Sequence, residues 1–296
     1  MTVSNQVLAS GPSSAATHGD DPVETHGSRP SGHYSVVDVA RAEWIKLVTV
    51  RSTTWSIVAL VVVSTGIGSL VTMAKASQFS QHPYATGIGF DPTRLSLSGL
   101  LLGQFAIGVL GALFVTAEYS TGTIYATLAA VPRRHLVVIA KTVVFGLVAF
   151  AASEVTCFAS FYAGQAILSG SAPYATLSSP GALRAVISGG LYLTALGLFA
   201  LGIGYIVRHT AAAISIFVTI LLVFPLILQA LPTSYINAVG KFLPANIGLV
   251  LLSGSTPANS ILMKHMFSPW VGFGILCAYA VVALVAGTLS MIVRDA

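Results

Sequence analysis

Charge is what this sequence has least of. Only 8% of its 296 residues are Asp, Glu, Lys or Arg, while 55% are apolar and the mean hydropathy is +0.85. A soluble globular domain carries about 25% charged and about 45–50% apolar residues. The composition excludes that class and leaves a multi-span membrane protein. Cysteine is scarce too. Cys157 and Cys277 both lie inside apolar runs, where small buried hydrophobes are expected rather than a disulfide or a metal pair. No His or Cys stands near either at zinc-ligand spacing. There is no GxxxxGK phosphate loop, no Rossmann glycine pattern, no HExxH, no CxxC and no GxSxG. Residues Leu252–Thr256 are Gly/Ser-rich, but no Lys follows them as a phosphate loop requires. The chain has no visible means of hydrolysing ATP, so it reads as a non-enzyme with no metal or cofactor of its own. Energised work would draw on a partner or an ion gradient.

The net charge is +5, but the basic residues sit at the ends of apolar runs instead of forming a stripe. They read as topology determinants, and no nucleic-acid partner is expected. Residues 1–34 are Ser/Gly/His/Pro-rich, with Asp20, Asp21, Glu24 and the scattered His18, His26 and His33. This stretch lacks the basic start and apolar core of a signal peptide. With nothing to bury, it is expected to be a disordered cytosolic tail, leaving residues 35–296 as the membrane domain.

Residues 36–50, VVDVARAEWIKLVTV, contain neither Pro nor Gly. Val36, Ala40, Trp44, Leu47 and Val48 share one helical face, with Asp38, Ala42, Lys46 and Thr49 mostly on the other. The segment is too short and too charged to span. It predicts an amphipathic helix in the headgroup plane, with Glu43 on it, Trp44 at the polar boundary, Leu47 inward, and Lys46 and Arg51 towards lipid phosphate. Arg51–Thr54 is expected to break the run before Trp55; the alternative is that the segment simply extends the first span.

Six runs then approach the ~20 residues needed to cross a bilayer core: 54–73, 97–117, 142–164, 183–207, 211–231 and 269–293. The fold class is therefore an all-α integral membrane protein with six transmembrane helices. Glycines recur in pairs such as Gly108 with Gly111 and Gly202 with Gly204, which permits close helix approach in lipid. With the N-terminus cytosolic, the inner segments hold Arg29, Arg41, Lys46, Arg51, Arg133, Arg134, Lys141, Arg208 and Arg294. The outer ones hold Lys75, Arg94, Arg184, Lys241 and Lys264. That asymmetry places both termini in the cytosol. Between the last two spans, 234–243 and 245–252 are half-apolar pieces separated by Pro244. Short helices capping or dipping into the outer leaflet fit them, with a surface loop as the alternative.

Glu154 is an acid in mid-span, a costly placement that points to the bundle interior, a partner or a water-filled path. Three roles stand open: structural hydrogen bonding with Tyr192 or Tyr205 nearby, the lining of a transport path, or proton coupling.

The most informative stretch is residues 118–141, EYSTGTIYATLAAVPRRHLVVIAK. Glu118 ends the second span, and Ser120, Thr121, Gly122 and Thr123 form a turn and helix cap. Residues 124–130 predict a short helix with Ile124, Leu128 and Val131 on one side. Pro132 stops it, and Arg133, Arg134 and His135 lead into the third span. A wet loop is one reading. The other is a cytosolic contact element whose apolar side buries in the interface or in a partner's groove.

This segment, together with EWIKLVTVRSTTW before the first span and the six-span layout, resembles the membrane subunits of the ABC-2 family of ABC transporters. The likeness covers roughly residues 39–293 in layout and is concentrated in about the first two fifths of that region. It implies a bacterial plasma-membrane permease that works as a homodimer, or with a related permease, in membrane lipid. Each subunit would be joined to a cytosolic ABC ATPase that binds ATP-Mg. The 39–50 helix would be the connecting helix, and residues 118–132 would occupy the place of the coupling helix. On that resemblance Glu118, Thr121, Gly122, Thr123, Ile124, Leu128, Pro132, Arg133 and Arg134 form the ATPase contact. Residues 232–267 would match the family's short outer helices. The polar tail departs from the minimal pattern, and Tyr125 stands where relatives carry a basic residue. An amphipathic or lipid-like substrate moved outward is the activity implied. The rival classes are an ion-coupled secondary transporter, disfavoured because no inverted pair of interrupted charged spans appears, and a non-transporting anchor or regulatory protein.

Overall fold

The computed structural model describes residues 36–81, 90–124, 134–254 and 265–294. Among these residues every regular element is helical. In chain order they are α1 (Val36–Thr49), α2 (Arg51–Gln81), α3 (Pro92–Ser96), α4 (Leu100–Thr121), α5 (Arg134–Leu168) and α6 (Ala182–Val207). There follow α7 (Thr210–Val218), α8 (Phe224–Gln229), α9 (Thr233–Val239), α10 (Pro244–Leu251) and α11 (Pro269–Arg294). A π-helical turn over Thr219–Val223 joins α7 to α8 in one rod.

Six of these units are long and apolar enough to cross a membrane: α2, α4, α5, α6, the rod Thr210–Gln229, and α11. They coincide with the six runs read from hydropathy, but several are longer. The first occupies Arg51–Gln81 rather than 54–73, and the third Arg134–Leu168 rather than 142–164. Apolar length sets only what lies in lipid, whereas a helix continues until something breaks its backbone hydrogen bonding. The 31 residues of α2 reach ~46 Å at 1.5 Å per residue, well beyond a hydrocarbon core of about 30 Å.

The expected break over Arg51–Thr54 is confined to Val50, because Arg51–Thr54 forms the first turn of α2. Val50 N still donates to Lys46 O at 3.2 Å, and Thr53 N donates to Val50 O at 3.1 Å. The face that α1 buries also differs from the one its apolar pattern suggests. Val39, Glu43 and Leu47 are buried, while Trp44 and Val48 remain exposed. Val39 meets Val137 and Ala140 of α5. An acid, Glu43, has taken the inward position because a lysine of α5 awaits it.

α6 is the pillar. Its most apolar window is 72% buried, against 22% for both α2 and the Thr210–Gln229 rod, which form the rim. It packs against α4, α5 and α11. Where α4 crosses α6, a Cβ on Gly111 would lie 2.3 Å from the carbonyl oxygen of Gly197. The backbones touch there, which is what small residues permit in lipid.

The π turn in the fifth span has a local cause. Pro225 cannot donate to the carbonyl four residues back, and its ring collides with that carbonyl. The wider turn at Thr219–Val223 absorbs the misfit without ending the rod.

At one end of the bundle, side chains tie loops together. Asp91 caps α3, its Oδ1 accepting from Arg94 N and its Oδ2 from Gly254 N, both at 3.0 Å. Gln165 donates to Pro92 O at 3.0 Å and to Ser96 Oγ at 2.8 Å, and accepts from Ala175 N at 2.7 Å. Ser188 Oγ donates to Leu251 O at 2.8 Å. The half-apolar pieces around Pro244 are α9 and α10 at this end, and Pro244 begins α10 rather than merely parting the two. The other end of the bundle carries the charges described next.

Candidate functional site

At the charged end, α4 runs four residues past the apolar stretch that predicted it and stops at Thr121. Gly122 follows in the left-handed conformation at φ +73°, its N–H donating to Tyr119 O at 3.3 Å. A Cβ is disfavoured at that φ, so glycine is the natural stop. Stopping there places Glu118 in the last turn of α4, facing inward. α5 rises from Arg134 and brings Lys141 to the same depth, 1% exposed.

Four charges meet at this point. Lys141 Nζ donates to Glu43 Oε2 at 2.5 Å and to Glu118 Oε1 at 2.9 Å. Lys46 Nζ donates to Glu43 Oε1 at 2.7 Å and to Glu118 Oε1 at 3.1 Å. Two cations and two carboxylates sum to zero, so a charged set can be buried between helices where a lone charge could not. The Lys141 ammonium also lies 4.3 Å from the centroid of the Phe114 ring, a cation–π contact in a desolvated place. Lys46, the most exposed member, has its pKa set by two opposing causes. Burial pulls it down, but hydrogen bonds and charge from Glu43, and charge and a hydrogen bond from Glu118, outweigh burial and hold it above the ordinary value of 10.5.

The next residue of α4 extends the connection. The guanidinium of Arg208 lies 5.1 Å from the Tyr119 ring centroid, and its Nη2 donates to Ser290 O on α11 at 3.0 Å. Arg208 ends α6 in the left-handed region at φ 60°, an uncommon conformation for a residue with a Cβ. The last turn of α4 is therefore joined to α1 and α5 through Glu118, and to α6 and α11 through Tyr119 and Arg208.

Glu118 and Lys141 are also the two ends of the contact element, 23 positions apart in sequence and in direct contact in space. The ion cluster is a neck that closes the element against α1. Of the residues expected on its outer surface, Thr121 and Thr123 are exposed and share a hydroxyl contact at 3.0 Å. Ile124 packs into the bundle's own core at 2% exposure. Leu128, Pro132 and Arg133 lie outside the described residues, as does the side chain of Arg134. On α1, Trp44 faces outward while Glu43 and Leu47 are buried, and Arg51, the first residue of α2, is exposed. Lys46, expected towards lipid phosphate, turns instead to two carboxylates. From sequence, Lys141 and Arg208 read only as topology determinants, and Phe114 and Tyr119 carry no assigned role. The available signal was that Glu43, Glu118 and Lys141 all stand at the edges of apolar runs on one side of the membrane.

Beside the neck, between the start of α2 and the end of α4, a cavity of about 380 Å³ is lined by apolar side chains with Lys46 and Glu118 at its edge. Farther into the bundle, both carboxyl oxygens of Glu154 are buried with no hydrogen-bond partner among the described residues. The carboxyl lies against α6 at Gly190, where an added Cβ would fall 2.4 Å from Glu154 Cδ. The expected hydrogen-bonding neighbours are engaged otherwise or not at all. Tyr192 donates to Gln104 Oε1 at 2.6 Å, and the Tyr205 hydroxyl has no partner among the described residues.

The architecture defines a polytopic, all-α membrane protein with six candidate spans and a helix packed across the charged end. No protein-family model and no curated protein matches the chain. Among the described residues, no group of His, Cys, Asp and Glu is placed to hold a metal ion.

Proposed function

We propose that the chain is the membrane-spanning permease subunit of an ABC exporter, moving an amphipathic or lipid-like substrate outward under the drive of a separate ABC ATPase. In this reading the charged end is cytosolic, along with both termini, and the membrane is a bacterial plasma membrane. The permease pairs with a second copy or a related chain. ATP-Mg is bound and hydrolysed by the ATPase, and the permease itself is not an enzyme.

One observation carries the reading. The two ends of the contact element and α1 meet in a single buried ion cluster at Glu43, Lys46, Glu118 and Lys141. A loop that only joins two spans needs no such neck. A lever does, because load applied to residues 118–141 then reaches α1, α4 and α5 together instead of being lost in bending of the connection. The test is reconstitution with a partner ABC ATPase, sought first among adjacent reading frames that carry a phosphate loop. Charge reversal at Arg133 and Arg134 should leave the permease inserted while ATP hydrolysis no longer drives transport. Unchanged ATP-dependent transport by that variant would refute the reading.

A second reading, an ion-coupled carrier, is favoured by the Glu154 carboxyl, which has no hydrogen-bond partner among the described residues. Transport in ATPase-free vesicles driven by a pH or sodium gradient would establish it in place of the first.

A further inference from the structure

The cavity beside the neck is built for a ligand with two unlike parts. Its long wall is Leu110, Leu113, Phe114 and Ala117 of α4, spaced so that they share one side of the helix. From Leu110 to Ala117 this wall runs ~10 Å along the helix axis, about a third of a bilayer core of about 30 Å. Towards the Ala117 end the lining becomes polar, with Lys46, Glu118, Thr121 and Thr123 forming the rim and Val50, Ser52 and Thr53 the side at the start of α2. Near this rim in sequence stand two exposed tryptophans, Trp44 on α1, 48% exposed, and Trp55 just after the first turn of α2, 71% exposed. Exposed tryptophans collect where headgroups meet hydrocarbon.

The rim is also balanced in charge. Lys46 and Glu118 stand 3.1 Å apart on it, so an anionic head would meet the carboxylate as well as the ammonium. A head carrying both signs can place its anion near Lys46 and its cation near Glu118, with the hydroxyls of Thr121 and Thr123 beside them. The volume of about 380 Å³ falls near the lower end of the ~300–1,000 Å³ usual for ligand sites, room for one acyl chain rather than two.

We propose that this cavity binds a zwitterionic, single-chain amphiphile of the lysophospholipid class, its chain along Leu110–Ala117 and its head at Lys46 and Glu118. The site belongs to the chain by itself and requires no ATPase, so its failure and that of the transport reading are separable.

The test uses the purified full chain in non-ionic detergent. A short-chain lysophosphatidylcholine whose photoreactive terminus lies ~10 Å from the head, the length of the α4 wall, should label residues 110–114 of the wild-type protein. Unlabelled lysophosphatidylcholine should suppress the labelling, and lysophosphatidylglycerol should do so at least threefold less well. Ala117→Trp, which fills the cavity from the α4 wall and leaves all four charges of the ion cluster in place, should cut labelling at least tenfold while the melting temperature stays near that of wild type. Leu113→Phe serves as a second plug should Ala117→Trp fail to fold. Labelling elsewhere on wild type, or none, overturns the site, as does undiminished labelling in a folded plugged variant. Equal or better competition by the anionic lipid overturns the zwitterionic head.

Discussion

Lys141→Met is the most demanding perturbation of the neck. Methionine keeps most of the length but removes the ammonium, which donates to Glu43 at 2.5 Å and to Glu118 at 2.9 Å and lies over the Phe114 ring. The cluster goes from two cations and two anions to one cation and two anions. Glu43, 1% exposed, then shares the single Lys46 with Glu118, 12% exposed. Removing one partner of a buried pair costs about 3–5 kcal/mol, because the remaining charge is left desolvated and uncompensated. Lys46 still neutralises part of that charge, which puts the expected loss near the lower bound, ~3 kcal/mol. In Glu43→Leu/Lys141→Met the set returns to one cation and one anion, and the buried positions become apolar. Replacing both partners of a buried pair by apolar residues is often neutral or stabilising, so the double variant should recover most of the loss. The assay is reversible unfolding in mixed detergent–SDS micelles, followed by circular dichroism for wild type, both singles and the double. A cost below ~1 kcal/mol for Lys141→Met, within the range of an exposed pair, would refute the reasoning, as would a double variant whose cost is the sum of the singles.

Three further outcomes follow from the same geometry. The Lys46 pKa is held above 10.5 in the folded protein, so its contribution is present in full below the unfolded value and fades only as pH rises through the higher folded one. The stability difference between wild type and Lys46→Met should therefore be flat from pH 6 to 9 and shrink only above about pH 10.5; a difference that already collapses by pH 8 contradicts the assignment. Glu154→Gln, an isosteric change at a carboxyl with no hydrogen-bond partner among the described residues, should keep insertion and transport close to wild type, and complete loss of transport by a normally inserted variant would favour ion coupling. Gly111→Leu pushes a side chain into the Gly197 carbonyl, where even a Cβ would sit 2.3 Å away; it should cost at least ~1–3 kcal/mol in the same micelle assay, and a neutral result would mean that the α4–α6 crossing is looser than drawn.

Hydropathy made the six spans legible because each is a nearly uncharged run close to bilayer length. Gly122 was legible as a helix stop, and Pro244 as the divider of two short helices, because both residues act on their own backbone. What escaped was long-range. The apolar pattern of α1 marks a face that carries Trp44 and Val48 but not that Glu43 turns to the bundle, and the reason it does is Lys141, 98 positions away. No local periodicity records such a pair. Tyr192 likewise finds Gln104 rather than Glu154, a choice made by helix rotation within the bundle. The π turn at Thr219–Val223 did have a local signal, Pro225, but its effect depends on the span continuing through it.

The neck also has a history during synthesis. Glu43 leaves the ribosome long before Lys141, and at about 5–20 residues per second the 98 intervening positions take roughly 5–20 s. In that interval the lysine it will finally face does not yet exist. Lys46, three positions on and 2.7 Å away in the finished protein, is the cation already at hand, since an i,i+3 pair needs only the helix itself. The two lysines thus act in sequence. One escorts the acid while the first two spans are laid down, and the other seals it in place once the third has begun.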